Sequence, residues 1–388
     1  MFPTRYRHVE VARRMLGSAV DRFGEALLQG DPLADAAMSD LVTLGASGHA
    51  LVAQASREGI RCVSQAPPSL RAFFGHAEEV PRWVDERQLH VGGQLLMRSG
   101  LFGGFVLAFR SILLGYFSPG GNKPLVFTGR LEEQTAKRLF ETAKFVQETC
   151  RPGSLSRFGE AYAITLHVRL MHAKVRAMLL AHPEWKADAW GIPINQHDMA
   201  ATSLLFSLEV VEGLRALGFS LDADEVEAYM HVWKYSSFLM GVDPEWSTGT
   251  ESEAWRLRRL TEATEGDETD DDGRRLVHAL FESGVTVART PVERRRAEWM
   301  KPFYFAVSRH LIGNRLADMI PIERTRAAWL MPSIMASVRA YDAAQRASRS
   351  FRALAIREGA RYWNEVVGLD IFGGPAKFAL PERLRRAA

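Results

Sequence analysis

Cysteine is scarce in this chain: Cys62 and Cys150 are the two in 388 residues, far apart, with no CxxC pair or Cys/His ligand spacing near either. That excludes zinc-finger and iron–sulfur readings. Charge of one sign is not in excess either. Forty-nine Lys and Arg against 46 Asp and Glu leave a formal net charge of +3, so no electrostatic footprint for nucleic acid exists. The densest basic group, Arg294-Arg295-Arg296, is followed by Glu298 and Trp299 and reads as a solvated helix start or loop. A long apolar run is missing too. The most hydrophobic stretch, Leu101 to Phe117, is interrupted by Arg110 and falls short of the roughly 20 residues that cross a bilayer of about 30 Å. It reads as a buried helix, with no stable membrane insertion. The first residues, MFPTRYRHVEVARRMLG, carry charges and no apolar h-region, so no secretory signal is expected and the chain reads as cytoplasmic. There is no P-loop, no GxSxG elbow, no HExxH and no internal repeat.

The chain does have 47% hydrophobic residues, arranged mostly at helical spacing. Length alone permits two or three domains, but the continuous helical pattern favours one large all-α domain over residues 1–388. Helical patterns cover 5–30 and 32–58, parted by Gly30-Asp31-Pro32, and Pro67-Pro68 marks a turn. Residues 118–129 read as a loop before a helix that starts near Arg130 and ends at Arg151-Pro152-Gly153. Seven acids between Glu262 and Asp272 read as a solvated, mobile loop, because their spacing fits no EF-hand. Helices follow over 274–283, 297–319 and 324–358, the last closed by Gly359, and the stretch IFGGPAKFALPERLRRAA reads as an irregular tail.

The chemistry concentrates between His167 and Gly218. At about 100° per residue, Thr165, Arg169, His172, Ala173 and Arg176 share one helical stripe. Arginine is almost never buried unpaired, so such a stripe must face solvent, carboxylates or an anionic ligand. His182-Pro183 and Trp190-Gly191-Ile192-Pro193 then turn the chain into a second helix. Asn195 or Asp198 can cap it, and Gly218 closes it, so His197 sits in its first turn. A third helix over 222–241 carries His231 among apolar residues. By burial statistics alone, His172 and His231 read as hydrogen-bonded core histidines. The same holds for His310, beside Tyr304 and Phe305.

The runs VRLMHAKVR, GIPINQHDMAATSLLFS and EAYMHVWKYSSFLMGV, in this order, resemble the bacterial family that groups with the catalytic domain of latex-clearing proteins (rubber oxygenases) and the fungal mycophenolic-acid-pathway oxygenase. The likeness covers about residues 90 to 245 and includes TGRLEEQTAKRLFETAKFVQ at 128–147. It implies an all-helical fold with a globin-like core, a b-type heme, and dioxygen chemistry on an apolar, isoprenoid-like substrate. Arg169 matches the family's functional arginine, and His172 stands where rubber oxygenases can present a lysine to iron. One departure matters: those enzymes carry a proximal histidine shortly after the aspartate, whereas MAATSLLFS has none.

Axial ligation therefore falls to His172, then His231, with His197 a further substitute, or heme has been lost. Arg169 or Arg176 would pair a propionate, and Thr202 would donate a hydrogen bond in the pocket. A non-heme iron site from His172, His197, Asp198 and His231 is a variant. The competing reading is a non-catalytic helical protein that binds an apolar ligand or partner in the same place.

Overall fold

The computed structural model describes residues 2–128, 135–266 and 269–368. The tail 371–388, the glycine at 129 and the helix start near 130 lie outside the described residues. Nineteen α-helices are described, with no strand among the described residues. In chain order they are α1 (Val9–Leu16), α2 (Ala19–Glu25), α3 (Pro32–Leu44), α4 (Ala46–Glu58), α5 (Pro68–Glu78), α6 (Glu86–Val106), α7 (Ile112–Gly115), α8 (Pro119–Phe127), α9 (Thr135–Cys150), α10 (Glu160–Leu180), α11 (Ala187–Trp190), α12 (Gln196–Phe206), α13 (Leu208–Leu217), α14 (Ala223–Met240), α15 (Glu251–Thr264), α16 (Asp271–Thr286), α17 (Pro291–Ala317), α18 (Met331–Ala347) and α19 (Arg349–Gly368). The all-α expectation holds.

α6 is the central element, and glycine makes its crossings possible. A Cβ on Gly92 would lie 2.1 Å from the Ala228 carbonyl of α14, and one on Gly93 would lie 2.1 Å from the Cys150 carbonyl of α9. On α19, a Cβ at Gly359 would come within 1.6 Å of the Met97 carbonyl of α6. Gly359 therefore does not end a helix as its sequence context suggests. α19 runs through it, because backbone contact with α6 needs a residue without a side chain. From Glu86 to Gly115 the chain is long and apolar enough to span a membrane by length and composition, yet 67% of its most apolar window is buried inside the protein. Leu107–Ser111 forms a π-helical turn between α6 and α7.

Apolar residues fill two main volumes and a small third one, where Phe127 of α8 meets Val175 and Leu179 of α10. The larger gathers α6, α7, α12, α13, α15, α16 and the second half of α17. The smaller gathers α3, α4 and α5 against α10. α14 feeds both from opposite faces: Tyr229, Met230 and Trp233 enter the first, Val232, Tyr235 and Leu239 the second. Arg98 of α6 is 1% exposed. Its guanidinium donates to both Glu225 oxygens at 2.6 Å and to Asp342 Oδ1 at 2.9 Å, tying α6 to α14 and α18.

Three further expectations change. Residues 119–127 are helical, because Ser118 accepts from the Gly121 amide and Pro119 occupies the first turn, where its missing N–H costs nothing. The helix expected from 195 to 218 is broken at Ser207, where the Phe206 carbonyl accepts from the Tyr229 hydroxyl at 2.8 Å. The described part of the acidic run is anchored: Asp270 caps α16 by accepting from the Gly273 amide, and Asp270 and Asp272 hold Lys123 at 2.9 and 2.6 Å.

Gly92→Ala is expected to lower stability by about 1–3 kcal/mol or more, the cost of overpacking. Gly75→Ala, with open space around its Cβ, should be neutral or stabilising by up to about 1 kcal/mol. Urea midpoints of the two variants measure the contrast.

Candidate functional site

α10 carries the guanidinium stripe as expected, but carboxylates of α3 and its cap already occupy it. Asp31 caps α3, accepting from the Ala34 amide. The same carboxylate receives Arg169 Nε at 2.6 Å and Nη2 at 2.9 Å, while Arg169 Nη1 donates to the Leu239 carbonyl at the end of α14. Arg169 also stands over the Phe73 ring at 5.1 Å. Two turns on, Arg176 Nε donates to Asp35 at 2.9 and 3.2 Å, and its Nη1 donates to the Ile194 carbonyl at 2.5 Å. A desolvated guanidinium needs this pairing, so the two arginines join α10 to α3.

The other nominated residues lie apart. His231 is buried in α14, and its Nε2 accepts from the Asp85 amide at the cap of α6, 3.0 Å away, with Trp83 edge-on at 5.7 Å. Burial holds its pKa below the ordinary histidine value of 6.5, which agrees with an unprotonated Nε2 in that bond. His172 is half-buried on α10, and Thr202 on α12 is exposed. His310 meets the Ala216 carbonyl at 2.9 Å, the satisfied core histidine its neighbourhood suggests.

His197 is different, because the start of α12 is fixed around it. Asn195 is the cap: its Oδ1 accepts from the Asp198 amide at 2.9 Å, and its Nδ2 donates to Asp198 Oδ2 and the Ile192 carbonyl. Asp198 is thus the third helical residue, not the cap. Gln196 donates to the Gly30 and Gly241 carbonyls and accepts from the Asp243 amide, locking the first turn to the loops before α3 and after α14.

Between those anchors, the His197 ring is fully buried, stacked on Phe23 with centroids 4.0 Å apart and met edge-on by Tyr6 at 6.0 Å. Its Nδ1 lies 3.6 Å from Asp198 Oδ1 and 3.9 Å from Glu265 Oε1. Arg5 donates to Asp198 Oδ1 at 2.6 Å and stands 3.6 Å from Glu265 Oε1, whose partner oxygen accepts from Ser118 Oγ at 3.1 Å. Burial pushes the Asp198 pKa upward, but Arg5 and His197 outweigh it and hold the carboxyl below the usual range.

Among the described residues, His197, Asp198 and Glu265 are the group whose donor atoms lie close enough to share a metal ion, and the group includes neither His172 nor His231. Sequence reasoning reached His197 and Asp198 but not Glu265, hidden in a run that looks solvated, nor Arg5, 193 residues from its partner. The one local signal for Glu265 is that the acids begin inside α15, ahead of Gly266.

Asp31→Ala is expected to cost about 3–5 kcal/mol, because it leaves a buried guanidinium unpaired. The double variant Asp31→Ala/Arg169→Met should recover much of that loss in denaturant titration. His231 sets a second expectation. Its folded pKa is depressed, so its contribution is complete above 6.5 and is lost as pH falls through the folded value. Stability should therefore drop as pH falls below about 6.5, and less steeply in His231→Gln.

Residues 96–349 match the family model described as "ER-bound oxygenase mpaB/B'/Rubber oxygenase, catalytic domain". The rubber oxygenase of Streptomyces sp. (strain K30) is 25% identical over 280 residues, 70% of this chain. The alignment spans 65% of that protein's length. The structure of latex clearing protein in the closed state shares the fold with a TM-score of 0.70 at 21% identity, over 87% of this chain and 91% of that one. The family match covers well over half of the sequence and the helices from the middle of α6 into α19, and the chain belongs to the MpaB and rubber oxygenase catalytic-domain family.

Proposed function

We propose that this chain is an oxygenase that uses dioxygen on an apolar, isoprenoid or lipid-like substrate. The match of residues 96–349 to an oxygenase catalytic domain carries the reading. The packing supports it: Phe145 of α9, Phe206 of α12 and Trp233 of α14 form a continuous aromatic wall, with Phe206 stacked on Trp233 at 5.3 Å and Phe145 about 6 Å from both. Phe145 and Phe206 of that wall are only partly buried, apolar surface of the kind that receives a hydrocarbon chain.

Heme b is the cofactor that the family resemblance implies, and it would supply the redox chemistry. The nominated residues do not assemble a site for it. Both α10 guanidiniums are engaged by Asp31 and Asp35, which leaves Arg176 Nη2 as the one nitrogen of the pair that is buried without a hydrogen bond. His231 Nε2 holds the Asp85 amide, and His197 is closed in by Phe23 and Tyr6. His172 stands half-buried on α10. One histidine and a single uncommitted guanidinium nitrogen do not make a porphyrin site.

Oxygen-electrode measurements on the purified full chain test the activity: uptake should depend on an added polyisoprenoid and be absent with a polar alcohol of similar size. Substrate-independent uptake, or none, favours the apolar-ligand-binding alternative. Absorption spectra test the cofactor. A heme held by His172 gives a Soret band that His172→Ala abolishes or shifts and His231→Ala leaves intact. A chain that stays colourless after expression with ample iron and heme precursor removes heme from the reading.

A further inference from the structure

Five polar atoms around one buried imidazole make no hydrogen bond among the described residues: His197 Nδ1 and Nε2, Glu265 Oε1, and Arg5 Nε and Nη1. Buried polar groups are ordinarily satisfied. A cluster of unsatisfied atoms on three adjoining side chains marks the place of a missing partner. The Asp198 and Glu265 side chains are 16% and 8% exposed, and that of His197 is 0% exposed, so bulk water does not supply it.

The donor set has a definite chemistry. One imidazole nitrogen and two carboxylate oxygens offer donor atoms within 4.8 Å of one another. Bonds of about 2.0–2.2 Å to a shared ion bring such atoms together with a contraction of under about 1.5 Å. Mixed nitrogen and oxygen ligation suits divalent first-row transition ions better than calcium or magnesium, which take oxygen alone. Second-sphere support is already built: Ser118 Oγ orients Glu265, and Asn195 Nδ2 orients Asp198. Without an ion, two carboxylates this close need a positive charge, and Arg5 provides it from the amino-terminal segment, its side chain lying against Gly120.

We propose that His197, Asp198 and Glu265 bind a divalent first-row transition ion, with Arg5 as the competing internal cation. The two cations exclude each other electrostatically, so Arg5 weakens the site and must swing off Asp198 when the ion enters. The inference stands independently of the oxygenase reading, because it concerns ion uptake alone.

The test uses the full chain without an affinity tag, stripped with chelator and titrated with Co²⁺ by visible absorption and with Zn²⁺ by calorimetry. One equivalent per chain is expected, with an imidazole-bound Co²⁺ spectrum. Arg5→Met should tighten binding tenfold or more, which is about 1.4 kcal/mol. Glu265→Gln should weaken it at least tenfold, and His197→Ala should abolish it. Circular dichroism checks that each variant is folded. Zn²⁺ should also raise the melting temperature of the wild-type chain and of Arg5→Met but not of His197→Ala. Failure of both the wild-type chain and Arg5→Met to take up a stoichiometric ion overturns the proposal. So does binding that is unchanged in His197→Ala and Glu265→Gln.

Discussion

A guanidinium leaves water only in the company of carboxylates, and among the described residues Arg98, Arg169 and Arg176 are each no more than 3% exposed. The arrangement of the helices follows from where those carboxylates stand. Glu225 and Asp342 bring α14 and α18 to α6 through Arg98, while Asp31 and Asp35 bring α3 to α10 through Arg169 and Arg176. Fork-shaped guanidiniums donate to paired oxygens in one plane, so such a contact sets an orientation as well as a distance. The glycine crossings of α6 add the complementary constraint of close approach, since backbone meets backbone at Gly92, Gly93 and Gly359.

This pairing also changes the functional meaning of α10. On an isolated helix its stripe invites an anionic ligand. In the folded chain the anion is the protein's own. What survives for ligand chemistry is the first turn of α12, where Asn195 and Gln196 satisfy the surrounding backbone and leave His197 facing two carboxylates and a guanidinium in a dry volume. In such surroundings charge interactions are stronger than in water.

The three ordered motifs lie on α10, on the turn into α12 with α12 itself, and on α14. Their residues divide in role. Gln196 and the Arg169–Asp31 pair are fastenings that join loops and helices, whereas the aromatic wall of Phe145, Phe206 and Trp233 and the His197 cluster are surfaces and donors not used up by the fold.

Helical spacing, turn residues and the motif order determined, from the amino-acid string alone, that this is an all-α chain, which helices bear histidine and arginine, and which family it resembles. These are local properties, written within one or two turns. Partnership across long separations was decided only in three dimensions. Asp31 lies 138 residues from Arg169, and Asp198 lies 193 from Arg5, and no periodicity encodes such distances. Gly359 looks like a helix stop until α6 comes against it, and Glu265 looks solvated until the amino-terminal segment and the turn at Ser118 enclose it. The physical reason is common to all of them: burial sets the worth of a charge or a missing side chain, and burial exists only once the helices have packed.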